Sequence, residues 1–215
     1  MIDPSAVSDR VREVREQITA AGGHHVQLIA VTKTFGVDAI NAAFQSGCDA
    51  IGENYAQELH AKAIEGLPDI PVHFIGAIQS NKVKLVAPYV SLWHTIDRPS
   101  VITEIGRRVP GARVLLQVNT TGESTKGGVA PADVASMCEV AVGAGLNLEG
   151  LMTIGPTHGS PADQESSFRL LRRLADQNGL IHCSMGMSDD FPIAVACGST
   201  MVRVGSRLFG SRTSH

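Results

Sequence analysis

Aromatic residues make up only 4% of these 215 residues, which leaves little for base stacking. Positive charge is not in excess either. A net charge of −3 offers no basic footprint for nucleic acid or an acidic membrane surface. The four cysteines, Cys48, Cys138, Cys183 and Cys197, stand far apart. They form no CxxC pair and no zinc-type spacing, so no structural metal is expected and reduced thiols are. No apolar run approaches the roughly 18 residues of a membrane span. The N-terminal stretch MIDPSAVSDRVREVREQI is charged and lacks a secretory apolar region, so the expected location is the cytoplasm. Several motifs are missing as well. No GxGxxG follows the first apolar run, and neither GxSxG nor HExxH occurs. GESTKGG (Gly122–Gly128) sets a lysine among glycines, but not in P-loop order.

What is present is a globular balance of 43% hydrophobic and 18% charged residues, in a chain long enough for one sizeable core. The expectation is a single domain over residues 1–215. Val7, Val11, Val14 and Ile18 repeat at helical spacing, with Asp3 or Ser5 as the cap and Pro4 in the first turn. His24-His25 fall in the turn that follows. Eight short apolar runs come next: Val26–Val31, Asp49–Gly52, Val72–Ile75, Leu92–Ile96, Arg113–Val118, Leu148–Ile154, Ile181–Met185 and Met201–Val204. Helical stretches separate them, including Pro131–Val142, Asp163–Asp176 and Asp190–Ala196. Such alternation predicts parallel βαβ units, and eight of them close a (β/α)8 TIM-type barrel. A doubly wound open sheet is the alternative.

In a barrel, chemistry gathers at the C-terminal ends of the strands. Lys33 directly follows the first run. Burial there lowers an amine's pKa, which suits a Schiff-base lysine; the plainer reading is a side chain reaching to solvent. Gly205-Ser206 precede a short helical stretch, Arg207–Phe209, and read as a phosphate cradle or as ordinary turn chemistry. Ser184 and Ser188 add hydroxyls after the seventh run. Arg203, inside an apolar strand end, needs a buried acceptor: a cofactor's ring nitrogen, or a salt bridge to Asp189 or Glu53. Asp189-Asp190 suit a cap on the next helix better than a metal site. Met152 faces the rim at its strand end.

The segments LIAVTKTF (Leu28–Phe35), GENYAQE (Gly52–Glu58), HFIGAIQSNK (His73–Lys82), HTIDR (His94–Arg98), LLQVNTTGESTKGG (Leu115–Gly128), GLMTIGP (Gly150–Pro156), SMGMSDDF (Ser184–Phe191) and GSTMVRVGSRLFGSR (Gly198–Arg212) span nearly the whole chain. Together they resemble the pyridoxal 5′-phosphate (PLP) homeostasis proteins, the YggS/PROSC-like family related to the N-terminal barrel of alanine racemase. The resemblance implies a barrel of that type with PLP on Lys33 as an internal aldimine. It implies Asn54 near the ring hydroxyl and Met152 against the ring. Ser184, Gly205 and Ser206 would hold the phosphate, and Arg203 would face the pyridine nitrogen. Three positions depart from the family pattern: Val72 where tryptophan is frequent, Thr32 where serine is common, and Cys183 where leucine is common.

An arginine at the ring nitrogen only donates, so the nitrogen stays unprotonated and the ring is a weak electron sink. The sequence runs to His215 without the second domain that supplies alanine racemase with a catalytic tyrosine. The expected function is therefore PLP homeostasis: holding the cofactor and passing it to PLP-accepting apo-enzymes, with little turnover, no nucleic acid and no membrane. The rivals are a small PLP-dependent amino-acid racemase, a lysine aldolase acting on a phosphorylated sugar, and a structural module with no phosphate ligand.

Overall fold

In a computed structural model that describes residues 2–210, eight parallel strands close on themselves in sequence order. They are β1 (Gln27–Val31), β2 (Ala50–Glu53), β3 (Val72–Phe74), β4 (Leu92–Ile96), β5 (Arg113–Gln117), β6 (Asn147–Met152), β7 (His182–Met187) and β8 (Met201–Val204). β8 pairs with β1 in register Ile29↔Arg203 and Ala30↔Val204, which excludes the open sheet. The helices are α1 (Pro4–Ala20), α2 (Val37–Gln45), α3 (Ala56–Glu65), α4 (Ser80–Val86), α5 (Pro99–Arg108), α6 (Val134–Gly143), α7 (Pro161–Gln177), α8 (Phe191–Ala196) and α9 (Ser206–Phe209). Ser211 and Arg212, the end of the last matching segment, lie outside the described residues.

α1 forms as its spacing predicts. Val7, Val11, Val14 and Ile18 are all buried, each worth about 1.5–3 kcal/mol of burial. Asp3, not Ser5, is the cap; its carboxylate accepts the N–H groups of Ser5 and Ala6. Other boundaries move by a residue or two, and some shifts matter. The helix expected over residues 131–142 begins as a 3-10 turn, Pro131–Asp133, and becomes a regular α-helix only from Val134. The seventh strand does not stop at Met185 but runs to Met187. Gly186 makes that possible: its φ is +93°, and a Cβ there would lie 2.6 Å from the Ala194 side chain on α8.

Two apolar layers hold the molecule. One lies between the strands and the surrounding helices. The other is small and fills the barrel's interior with Ile29, Ala50, Leu92, Leu115, Met152 and Met201. Buried polar side chains share that interior, among them His73, His94, Ser184 and Arg203, and they lead to the site.

Candidate functional site

A cleft of about 300 Å³ opens at the C-terminal ends of the strands, at the low end of ligand-pocket sizes. Lys33, Asn54, Met152, Arg203, Gly205 and Ser206 line it together, with Val31, Ile75, Ile154, Met187, Ser188 and Asp189. Larger hollows lie elsewhere, one of about 520 Å³ walled by Thr120, Glu123 and His158 and one of about 590 Å³ beside Ser80 and Thr103. Neither gathers strand ends, so size does not mark the site here; convergence does. Ser184 is not in the cleft. It is fully buried beneath the floor, and Ser188 stands at the rim in its place.

The Lys33 side is built from ions. Lys33 sits in the turn after β1, and the next residue, Thr34, has φ +69°. It is the sole non-glycine with positive φ among the described residues. That conformation costs roughly 1–2 kcal/mol and needs support from its surroundings. The support comes from α3. The Lys62 ammonium, buried, donates to the Thr32 carbonyl at 2.9 Å, to Glu53 Oε1 at 2.6 Å and to Glu58 Oε1 at 2.6 Å. Its three N–H donors are thereby used. Glu58 Oε1 also accepts the Thr34 N–H at 2.5 Å, and the Thr32 hydroxyl donates to Glu53 Oε1 at 2.7 Å. Burial pushes the Glu53 carboxyl up, while the adjacent ammonium pulls it down. Beside this cluster the Asn54 Oδ1 atom is buried with no protein donor.

The Arg203 side is built from neutral groups. Arg203 is buried and makes neither expected ion pair, with Asp189 or with Glu53. Its Nη1 donates to Ser184 Oγ at 2.6 Å and its Nη2 to the Thr153 carbonyl at 2.8 Å. Ser184 Oγ lies 3.0 Å from His94 Nδ1, and His94 Nε2 lies 3.0 Å from His73 Nδ1. β4 and β7 are not neighbours in the barrel, so this chain crosses its interior. Arginine only donates, so the serine accepts from it, and one hydrogen bond then joins the serine to His94 and another joins the two rings. Burial favours the neutral form of both rings: His73 is lowered to about 4, and His94 well below its usual value. Burial lowers Arg203 only to about 10, which leaves it charged at neutral pH.

Asp190 stands at the start of α8, yet its carboxylate faces backward to accept the Met187 N–H at 2.6 Å. It ties the end of β7 and caps no helical N–H, a correction to the expected role. Among the described residues no group of acidic, histidine or cysteine side chains is placed to hold a metal ion.

The family described as alanine racemase, N-terminal domain, matches residues 2–213. A pyridoxal phosphate homeostasis protein from Vibrio alginolyticus is 42% identical over 205 residues, 87% of each chain. The chain belongs to the pyridoxal phosphate homeostasis protein family. The PLP-bound structure of PipY from Synechococcus elongatus, a relative at 32% identity, superposes with a TM-score of 0.81 over 95% of this chain and all of that one. An alanine racemase from Corynebacterium glutamicum, 17% identical, matches at 0.77 over 97% of this chain and 61% of its own, a likeness of fold alone.

Within the family pattern the three departures are absorbed by packing. Val72 and Cys183 are buried, and burial pushes the Cys183 thiol up to about 11. Thr32 keeps the hydroxyl, which goes to Glu53. Lys62 and His94 were not singled out in the sequence. The signal for Lys62 was its i,i+4 spacing from Glu58 on the helix that starts at Ala56.

Proposed function

We propose that this chain binds PLP at the barrel's C-terminal rim, anchors it on Lys33, and holds it for delivery to PLP-accepting apo-enzymes in the cytoplasm, as one domain over residues 1–215. The observation that carries the reading is the meeting of Lys33, a buried unpartnered acceptor on Asn54 and the charged Arg203 in one cleft. When bound, PLP supplies an aldehyde that condenses with a lysine amine with loss of water, together with a phosphate and a ring that need fixed partners.

The residues present fit that group. Asn54 Oδ1 supplies the acceptor that a ring hydroxyl needs, Met152 an apolar surface for the ring, and Arg203 a donor-only cation. Ser206 and Ser188 present hydroxyls, and the first-turn N–H of Ser206 has no partner inside so short a helix. The Gly205 N–H donates to Ser188 Oγ at 3.3 Å, so glycine orients the serine. Ser184 acts one step removed, by holding Arg203.

Arg203 also argues against vigorous chemistry. It cannot hold a proton on a ring nitrogen as a carboxylate does. No tyrosine lines the cleft; Tyr89 Oη pairs with His60 Nδ1 at 3.4 Å, and Tyr55 is exposed at the start of α3. No helix among the described residues is long and apolar enough to cross a membrane.

The test is an absorbance spectrum of the purified protein with PLP, followed by borohydride reduction and peptide mapping. The label is expected on Lys33, and Lys33→Ala should lose the bound-cofactor band. A band that survives Lys33→Ala overturns the anchor. Efficient amino-acid racemisation overturns the non-enzymatic reading.

A further inference from the structure

We infer that Glu58 and Lys62 of α3 are positioning residues for PLP capture: they clamp the Thr32–Thr34 turn from both sides and so aim Lys33 into the cleft. This rests on the reading of Lys33 as the anchor. Lys62 Nζ grips the carbonyl before Lys33, at 2.9 Å from Thr32 O. Glu58 Oε1 grips the N–H after it, at 2.5 Å from Thr34 N. The two grips are joined by their own ion pair at 2.6 Å and lie one helical turn apart. The turn is closed by the Phe35 N–H, which donates to the Thr32 carbonyl at 3.1 Å.

The strained residue shows what the clamp is for. A threonine in left-handed conformation relaxes to negative φ unless something holds it. Relaxation at Thr34 rotates the peptide units beside Lys33 and swings the amine off its line. Fixed placement of a reacting amine shortens its search for a carbonyl carbon, so the clamp acts on the rate and strength of capture while touching no part of the cofactor. Glu58 accepts both from Lys62 and from Thr34, which couples the helix to the turn through one oxygen.

The inference predicts a rescue. Glu58→Ala removes the hold on the Thr34 N–H and should weaken PLP retention about tenfold, equivalent to about 1.4 kcal/mol. Glu58→Gln keeps an acceptor at that place and should retain most of the affinity. Glycine accepts positive φ without strain. In the Thr34→Gly background, the loss caused by Glu58→Ala should therefore shrink to under about twofold, a coupling read by the double-mutant cycle. Thr34→Pro, which forbids the left-handed turn and removes the N–H, should abolish capture with far-ultraviolet circular dichroism unchanged. Amide hydrogen exchange at Thr34 should speed up in Glu58→Ala.

The outcomes separate the two ideas. If the cofactor band survives Lys33→Ala, the anchor reading fails and the clamp has no object. If Lys33→Ala loses the band but Glu58→Ala retains PLP as the parent does, or Thr34→Gly gives no rescue, the clamp alone is overturned. If Glu58→Ala does not fold, Thr34→Pro decides: PLP retention at the parent level overturns the inference.

Discussion

The two sides of the cleft are held by opposite means. On the Lys33 side, between the barrel and α3, the backbone is fixed by a buried ammonium shared among two carboxylates and a carbonyl. On the Arg203 side, inside the barrel, a side chain is fixed by a hydroxyl, a carbonyl and two neutral imidazoles. The difference follows from what each place tolerates. At the barrel's flank an ion can be matched by counter-ions from a neighbouring helix. In the interior each added charge costs several kcal/mol, so the single cation bonds neutral groups, and the Asp190 carboxylate favours its charge without a direct bond. A turn that must keep a strained shape is held by paired ions, whereas the buried guanidinium donates its charge-assisted bonds to a neutral hydroxyl and a neutral carbonyl.

The largest expected effect breaks the ionic side. Lys62→Met leaves the Glu53 carboxylate buried without its partner and should cost about 3–5 kcal/mol in chemical denaturation. Glu53→Gln combined with Lys62→Met should recover most of it, because no unpaired ion remains. A cost under about 1 kcal/mol for Lys62→Met would mean that the cluster is hydrated and not a buried ionic clamp.

Acid sharpens the neutral side. His73 is held at about 4 in the fold against an ordinary 6.5, so the folded state keeps it neutral while the unfolded chain binds a proton. Its contribution is complete above pH 6.5 and is lost as pH falls toward 4, by about 3 kcal/mol in all. His94 is shifted in the same direction and adds to the slope. Urea unfolding across that range should show stability falling with pH, and His73→Gln should flatten the curve. A slope unchanged by that substitution would remove His73 from the account.

A smaller effect tests the link between the histidines and the arginine. Ser184→Ala leaves Arg203 Nη1 and His94 Nδ1 without partners and should cost about 1–3 kcal/mol. A neutral result would show that water takes over the serine's place.

The barrel was legible because each strand reads as a short apolar run with turn residues after it, and the rim was legible because residues just past those runs face one opening. Lys33, Asn54, Gly205 and Ser206 reach the cleft on that logic, and Met152 and Arg203 reach it from the strand ends themselves. Ser184 does not, and the reason is a boundary. The run looked finished at Met185, but the strand continues to Met187. Two residues are one full side-chain repeat, so Ser184 keeps its inward face but sits a layer deeper. Lys62 was hidden because a lysine four residues after a glutamate reads as a solvent-exposed helix pair. Only its depth against Thr32 makes it structural.

By itself the amino-acid sequence determined the alternation of strand and helix, hence the barrel and the set of side chains delivered to its mouth. Those follow from local pattern and from the chain order of the strands. The tertiary structure alone decided the partners. Arg203 meets a serine 19 residues away and a carbonyl 50 away, and that serine meets a histidine 90 residues away. No local pattern encodes such pairs. They exist because β8 closes against β1 and brings distant strands to a common interior, where a buried donor must bond whatever acceptor lies across from it.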